Sequence, residues 1–329
     1  MKKQYQNFKA NKPTELTQYP YRKGSVCSPT EKRISRIENR PIASFSCLTA
    51  YATVPWRHYG RGPLLHFVFN SVAWKFFLPQ FMQKTKLRHT PVKHVDHELD
   101  EKVPFRPDHL KIYMDFINTW IRPISMLVKR FGASGGTKLG AEFIRYLNLA
   151  YDEAYSLYRI SFTTTYRPKT DNASVKRLRR ADPHFMCVPS LHIAIMCLCI
   201  GFYKMLFKRE HFTQSESNFW LDEIKRHATA IGESVLYLKQ HSVNCIPAAL
   251  YMMTRITPEL FTPEDAVEFI DSLFARASDV KESDRKKINA HIHFMYERLL
   301  LEGCTSEDWK EPVLRWLKDY HPFTPSYAF

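Results

Sequence analysis

ADPHFMCVPSLHIAIMCLCIGFY, residues 181–203, runs from a Pro-Ser-Leu-His turn straight into an apolar segment. From Phe185 to Tyr203 it carries no Asp, Glu, Lys or Arg. Pro189 and Ser190 suit the start of a helix, where a Ser side chain can cap the free N–H groups. From Ile193 to Tyr203 the run is apolar on every side, and a helix of that kind is buried. A membrane-spanning helix needs about 20 mostly apolar residues. Pro189, Ser190 and His192 interrupt this run, so it reads as the central helix of a soluble bundle, with an imidazole on its first turn.

The rest of the chain agrees with that class. Of 329 residues 44% are hydrophobic and 14% aromatic, with only ten Gly. Scarce Gly argues against a barrel or a glycine-rich nucleotide-binding fold. Most segments repeat at helical period, so an all-α protein is expected. Residues 41–257 read as a main helical domain and 258–329 as a charged, amphipathic C-terminal helical extension. That extension opens on Thr262-Pro263-Glu264-Asp265, a strong helix start. Within the main domain, Pro123 marks a kink or boundary, and ASGGTKLG (133–140) reads as a flexible break. The uncharged stretch 41–56 is short and rich in Ser and Thr. The apolar stretch 64–82 is interrupted by Asn70 and Lys75. Neither reads as a span, and mean hydropathy is −0.37.

Net charge is +15. Residues 1–40 hold ten Lys or Arg against three Glu and lack apolar periodicity, so they read as a basic, loosely ordered arm. Such an arm suits an anionic membrane surface better than nucleic acid, because the aromatics elsewhere do not alternate with bases as a stacking platform requires. MKKQYQNFKANKPTEL has no apolar core of an export signal. Seven cysteines without metal-type spacing then suggest reduced thiols, and the expected location is cytoplasmic, at most peripheral to a membrane. His94, Asp96 and His97, like His291 and His293, read as surface residues, so no metal is expected. VKRLRR (175–180) reads as a basic loop just before the site, open equally to phosphate, to acidic lipid or to solvent alone.

Three segments carry chemistry: TYRP (165–168), PSLH (189–192) and SVLYLKQHSVNC (234–245). In this order they resemble the type 2 phosphatidic acid phosphatase superfamily, which shares its fold with the vanadium haloperoxidases. That family shows Lys-x6-Arg-Pro, Pro-Ser-Gly-His and Ser-Arg-x5-His-x3-Asp. PSLH and KQH are most similar to its lipid phosphotransferase branch. The resemblance spans residues 159–250 and implies a helical bundle of the acid phosphatase type. It also implies a phosphatase or phosphotransferase that works without metal or other cofactor, through a phosphohistidine, on a phosphomonoester or a phospholipid.

Carried over position by position, the resemblance makes His241 the nucleophile and His192 the acid for the leaving oxygen. Arg167 and Ser190 would hold phosphate oxygens. The family's first Lys falls at Ile160, with Arg159 beside it as a substitute. The Arg of Ser-Arg falls at Val235, and Lys239 offers the replacement charge. The Asp after the nucleophile falls at Cys245, so Cys245 and its neighbour Asn244 are the candidates to orient His241. A phosphate at a helix N-terminus is physically sound, because the free N–H groups there attract an anion. Two alternatives stand beside this reading: an impaired relative that binds phosphorylated ligands or partners, and a basic nucleic-acid-binding helical protein.

Overall fold

Helix-forming sequence dominates the computed structural model, which describes residues 28–328. Most of the basic arm, residues 1–27, lies outside the described residues. In chain order the helices are α1 (Glu31–Ser35), α2 (Cys47–Tyr51), α3 (His58–Leu65), α4 (Leu78–Lys84), α5 (Leu110–Met114), α6 (Phe116–Tyr158) and α7 (Ala173–Ala181). They continue as α8 (Leu191–Arg209), α9 (Gln214–Tyr237), α10 (Cys245–Ile256), α11 (Pro263–Ser272), α12 (Glu282–Gly303) and α13 (Lys310–Asp319). A π-helical segment, His66–Phe77, joins α3 to α4 without a break. The fold is all-α; among the described residues there is one parallel pair of three-residue strands, β1 (Val92–His94) and β2 (Phe162–Thr164).

The apolar run read first from the sequence is α8, packed among α6, α9 and α10. Ile193, Ala194, Ile195, Met196, Cys197 and Leu198 are all 0% exposed. Among the described residues α8 alone is long and apolar enough to cross a membrane, and 78% of that window is buried inside the fold.

Helix α6 corrects two expectations. It runs straight through the buried Pro123 and turns back at Gly132, whose φ of 76° and ψ of 172° leave the helical region. The 133–140 stretch is not a flexible break. It is helical and starts the returning arm. A Cβ at Gly136 would lie 2.4 Å from the Val128 Cα, and one at Gly140 would lie 2.7 Å from the Ile124 Cγ2. The glycines therefore let the two arms close to backbone contact. Pairs 128/136 and 124/140 are symmetric about residue 132, the signature of a tight antiparallel helical hairpin.

The strand pair aligns Val92 with Phe162 and His94 with Thr164, and Thr163 bridges to Met186. Three distant segments thus meet beside the start of α8. The segment 258–328 packs on α10 rather than standing apart. Thr254 and Tyr296 hydroxyls bond at 2.8 Å, and Arg255 donates to the Gly303 carbonyl at 2.9 Å. One hydrophobic core runs from Ile37 to Leu317. Residues 28–40, expected in the loose arm, are attached to it: Ile37 is 1% exposed and Trp220 donates to the Arg40 carbonyl at 2.8 Å. The helix start at Thr262 forms a full capping box with Asp265.

Candidate functional site

A narrow cavity lies at the N-terminus of α8, lined by Phe76, Gln80, Asp182, His184, Met186, Cys187, Leu191, His192 and His241. Its floor is built by local rules. Ser190 caps α8, its Oγ accepting from the Ile193 N–H at 3.5 Å. That bond is long, and the same Oγ lies 3.3 Å from His241 Nε2. Thr163 holds the approach to the helix: its Oγ1 accepts from the Cys187 and Val188 N–H groups at 3.1 and 2.8 Å. The Tyr158 hydroxyl donates to the Pro189 carbonyl.

His192 and His241 face each other across this floor, edge to face, with ring centroids 5.7 Å apart. His241 Nδ1 lies 3.2 Å from the Cys187 carbonyl oxygen. A carbonyl only accepts, so Nδ1 carries the proton and Nε2 presents its lone pair toward Ser190 and the cavity. Burial holds the His241 pKa down at about 4. His192 packs against Tyr113 and Phe116, with centroids at 4.6 and 4.5 Å. Burial, then the nearby His241, brings its pKa to about 3. Both rings are neutral at pH 7 in the absence of an anion.

Arg167 follows β2 and is partly buried, its Nη1 3.5 Å from Gln240 Oε1. Burial pulls its pKa down, while Asp182 and Cys187 push it back up. Arg179, on α7, donates Nη1 to the Pro168 carbonyl at 2.6 Å. Its Nε and Nη2, and the Gln240 Nε2, are buried without a partner. Burial, then the Arg167 charge, lowers the Arg179 pKa to about 10. These unpaired donors, one guanidinium and one amide, are groups that an anion would satisfy.

Asp182 and His184 complete the wall. Asp182 accepts from the His184 N–H at 3.1 Å, and burial raises its carboxyl pKa. His184 has φ of 68° and its Nε2 lies 2.8 Å from Thr165 Oγ1. Its ring sits 3.6 Å from Cys187 Sγ. Burial pushes the Cys187 thiol well up, which removes it as a nucleophile at neutral pH.

The structure thus brings together His192, His241, Ser190 and Arg167. It places the other expected residues elsewhere. Lys239 has positive φ and donates to the Asp100 and Val103 carbonyls, away from the cavity. Arg159 caps the end of α6 at the surface. Asn244 does not orient His241: it donates to the Val95 carbonyl at 3.0 Å and the Tyr320 hydroxyl at 2.8 Å, and its Oδ1 lies 2.8 Å from His291 Nε2. Cys245 Sγ accepts from the Ser242 N–H at 3.3 Å. The cause is common to Lys239, Asn244 and Cys245. The expected spacing supposed one continuous helix, whereas α9 ends at Tyr237, a turn spans 238–244, and α10 begins at Cys245. Positions 241 and 245 therefore share no helix face.

Sequence reasoning missed Cys187, whose contribution is a backbone carbonyl and leaves no residue signature. It also missed Asp100, from the charged stretch 93–102. Asp100 is buried, accepts from the Val243 N–H at 2.8 Å, and so fixes the turn that carries His241. Burial raises its pKa to about 6. Arg179 had a signal, since VKRLRR stands just before the site. The His94–Asp96 pair, at 3.2 Å, braces Tyr166, which stacks on His94 at 4.1 Å. Among the described residues no group of three or more His, Cys, Asp or Glu is placed to hold a metal ion. No family model, curated protein or solved structure matches the chain.

Proposed function

We propose that this protein cleaves or transfers the phosphoryl group of a phosphomonoester or lipid phosphate through a phosphohistidine on His241. The observation that carries the reading is the pair of imidazoles 5.7 Å apart at the N-terminus of α8. Helix N–H groups, Ser190 Oγ, Arg167 and Arg179 supply positive potential for the phosphoryl oxygens. The Cys187 carbonyl fixes the tautomer that aims a lone pair from His241 Nε2.

In the first step Nε2 attacks phosphorus, forming an N–P bond as the ester P–O bond breaks. The leaving alkoxide takes a proton from His192. Water or an alcohol then attacks phosphorus, gives its proton to His192, and releases His241. With burial holding its pKa at about 3, His192 needs the phosphate to become protonated. An anion at hydrogen-bond distance raises an imidazole's pKa, so binding draws in a proton.

The test is phosphate release from a phosphomonoester, with trapping of an acid-labile phosphoenzyme. His241→Ala should abolish both, and vanadate should inhibit the native chain by resembling the five-coordinate transition state. Turnover that persists in His241→Ala would refute the phosphohistidine route. A binding role without turnover is the second reading. It is favoured by one observation: a neutral carbonyl, not a carboxylate, holds His241 Nδ1.

A further inference from the structure

The helical run 58–84 has two opposite faces of different chemistry. A π-helix bonds residue i to i+5, so its faces recur every four to five residues. Stepping by four, five and four from Phe67 gives Ser71, Phe76 and Gln80. Phe67, Ser71 and Gln80 are buried, and Phe76 and Gln80 line the cavity. The same steps from Leu65 give Phe69, Trp74 and Leu78, exposed by 46%, 66%, 63% and 38%. Phe77 and Phe81 stack together beside them, also exposed. An outward stripe of this size on a charged protein is an interaction surface.

Charge identifies the partner. From residue 39 to residue 95 the sequence has eight Lys or Arg and no Asp or Glu. Arg57 and Arg61 at the start of α3, and Lys84 and Lys86 around the end of α4, are exposed. The helix therefore shows aromatic and aliphatic groups along its middle and cations at both ends. A helix lying in the plane of an anionic bilayer has this composition, with aromatic rings at headgroup depth. The segment behind His192 repeats the pattern: Tyr113 and Phe116 pack on His192, while Met114 and Ile117 are 54% and 50% exposed.

We infer that the outer face of residues 58–84 docks on an anionic lipid bilayer and sets the cavity, one helix width away, against the headgroup layer. Docking does not depend on the phosphoryl-transfer reading.

The experiment is sedimentation of the full chain with vesicles of phosphatidylcholine and phosphatidylserine at 7:3, against pure phosphatidylcholine. The variant is Phe69→Ser/Trp74→Ser, whose side chains are outside the core. Binding of inorganic vanadate in solution is measured in parallel. The native chain should bind the anionic vesicles, and the variant should bind at least about tenfold more weakly with vanadate affinity unchanged. Vesicle binding equal in the two proteins would overturn the proposal and leave the basic arm as the anchor. So would absence of vesicle binding, or self-association in solution that the double substitution abolishes, which would make the stripe a contact between copies. Loss of vanadate binding in the native chain would sink the phosphoryl reading while leaving the docking result to stand on its own.

Discussion

His241 is neutral because it is buried, and that has a cost in acid. Its pKa falls from 6.5 to about 4 on folding, so between those values the unfolded chain binds the extra proton. Stability is therefore complete above pH 6.5 and drains away as pH falls toward 4. The size is on the order of 3 kcal/mol for this one residue. His241→Gln should flatten the fall of Tm between pH 6.5 and 4, a change that thermal scans across that range would record. An unchanged slope would place the acid sensitivity in other groups. Proton uptake is the matching expectation for binding: calorimetry of phosphate in buffers of different ionisation enthalpy should show protons drawn in at pH 7, because the empty His192 and His241 carry none to spare. At this scale the two histidines and Ser190 were legible, since each is a side chain at a helix start or turn in recognisable order. Lys239 and Asn244 were misplaced because sequence spacing cannot show where a helix gives way to a turn. The Cys187 carbonyl was invisible because every residue has one.

Among the elements, the α6 hairpin shows how sequence signals conflict. ASGGTKLG reads as a break by composition, yet its glycines serve contact, and the true turn is the single Gly132 just before it. Helix α8 and the start of α11 were readable because apolar runs and capping boxes are local patterns. Which glycine turns and which ones pack is a tertiary matter. The two kinds are separable by substitution. Gly132→Ala should cost about 1–3 kcal/mol, because φ of 76° is strained for any side chain. Gly136→Ala should cost about 3 kcal/mol or more, because its methyl would meet the Val128 backbone at 2.4–2.5 Å and one arm would have to shift. Urea unfolding at constant m-value measures both. Equal and small losses would mean that the arms part easily and that the close contact carries little stability.

Across the whole molecule, residues 320–328 lie over the loop that braces the site. Tyr320 is the hub: its hydroxyl donates to the Asp96 carbonyl at 2.7 Å and accepts from Asn244 Nδ2 at 2.8 Å. Phe323 N–H reaches the Asp96 carbonyl at 3.0 Å, and Ser326 N–H reaches Glu101 at 2.6 Å. Tyr320→Phe should remove about 1–2 kcal/mol, chiefly by leaving buried partners unpaired. Vanadate affinity should hold, because Tyr320 touches none of the cavity residues. A collapse of affinity in a folded Tyr320→Phe protein would show that this clasp reaches the site.

The cavity is drawn from residues 76–80, 182–192 and 241, whereas the α6 hairpin closes on itself within one short segment. Contacts between neighbours in sequence form fast, and contacts between distant segments must wait for large loops to close. The hairpin is thus suited to be an early scaffold in the folding of the chain, with the anion pocket completed late. A late-formed region is also the first to open when conditions weaken the fold. Modest urea should consequently abolish vanadate binding while far-ultraviolet circular dichroism still reports nearly full helix, and amides around residues 182–192 should exchange hydrogen ahead of those on either side of Gly132.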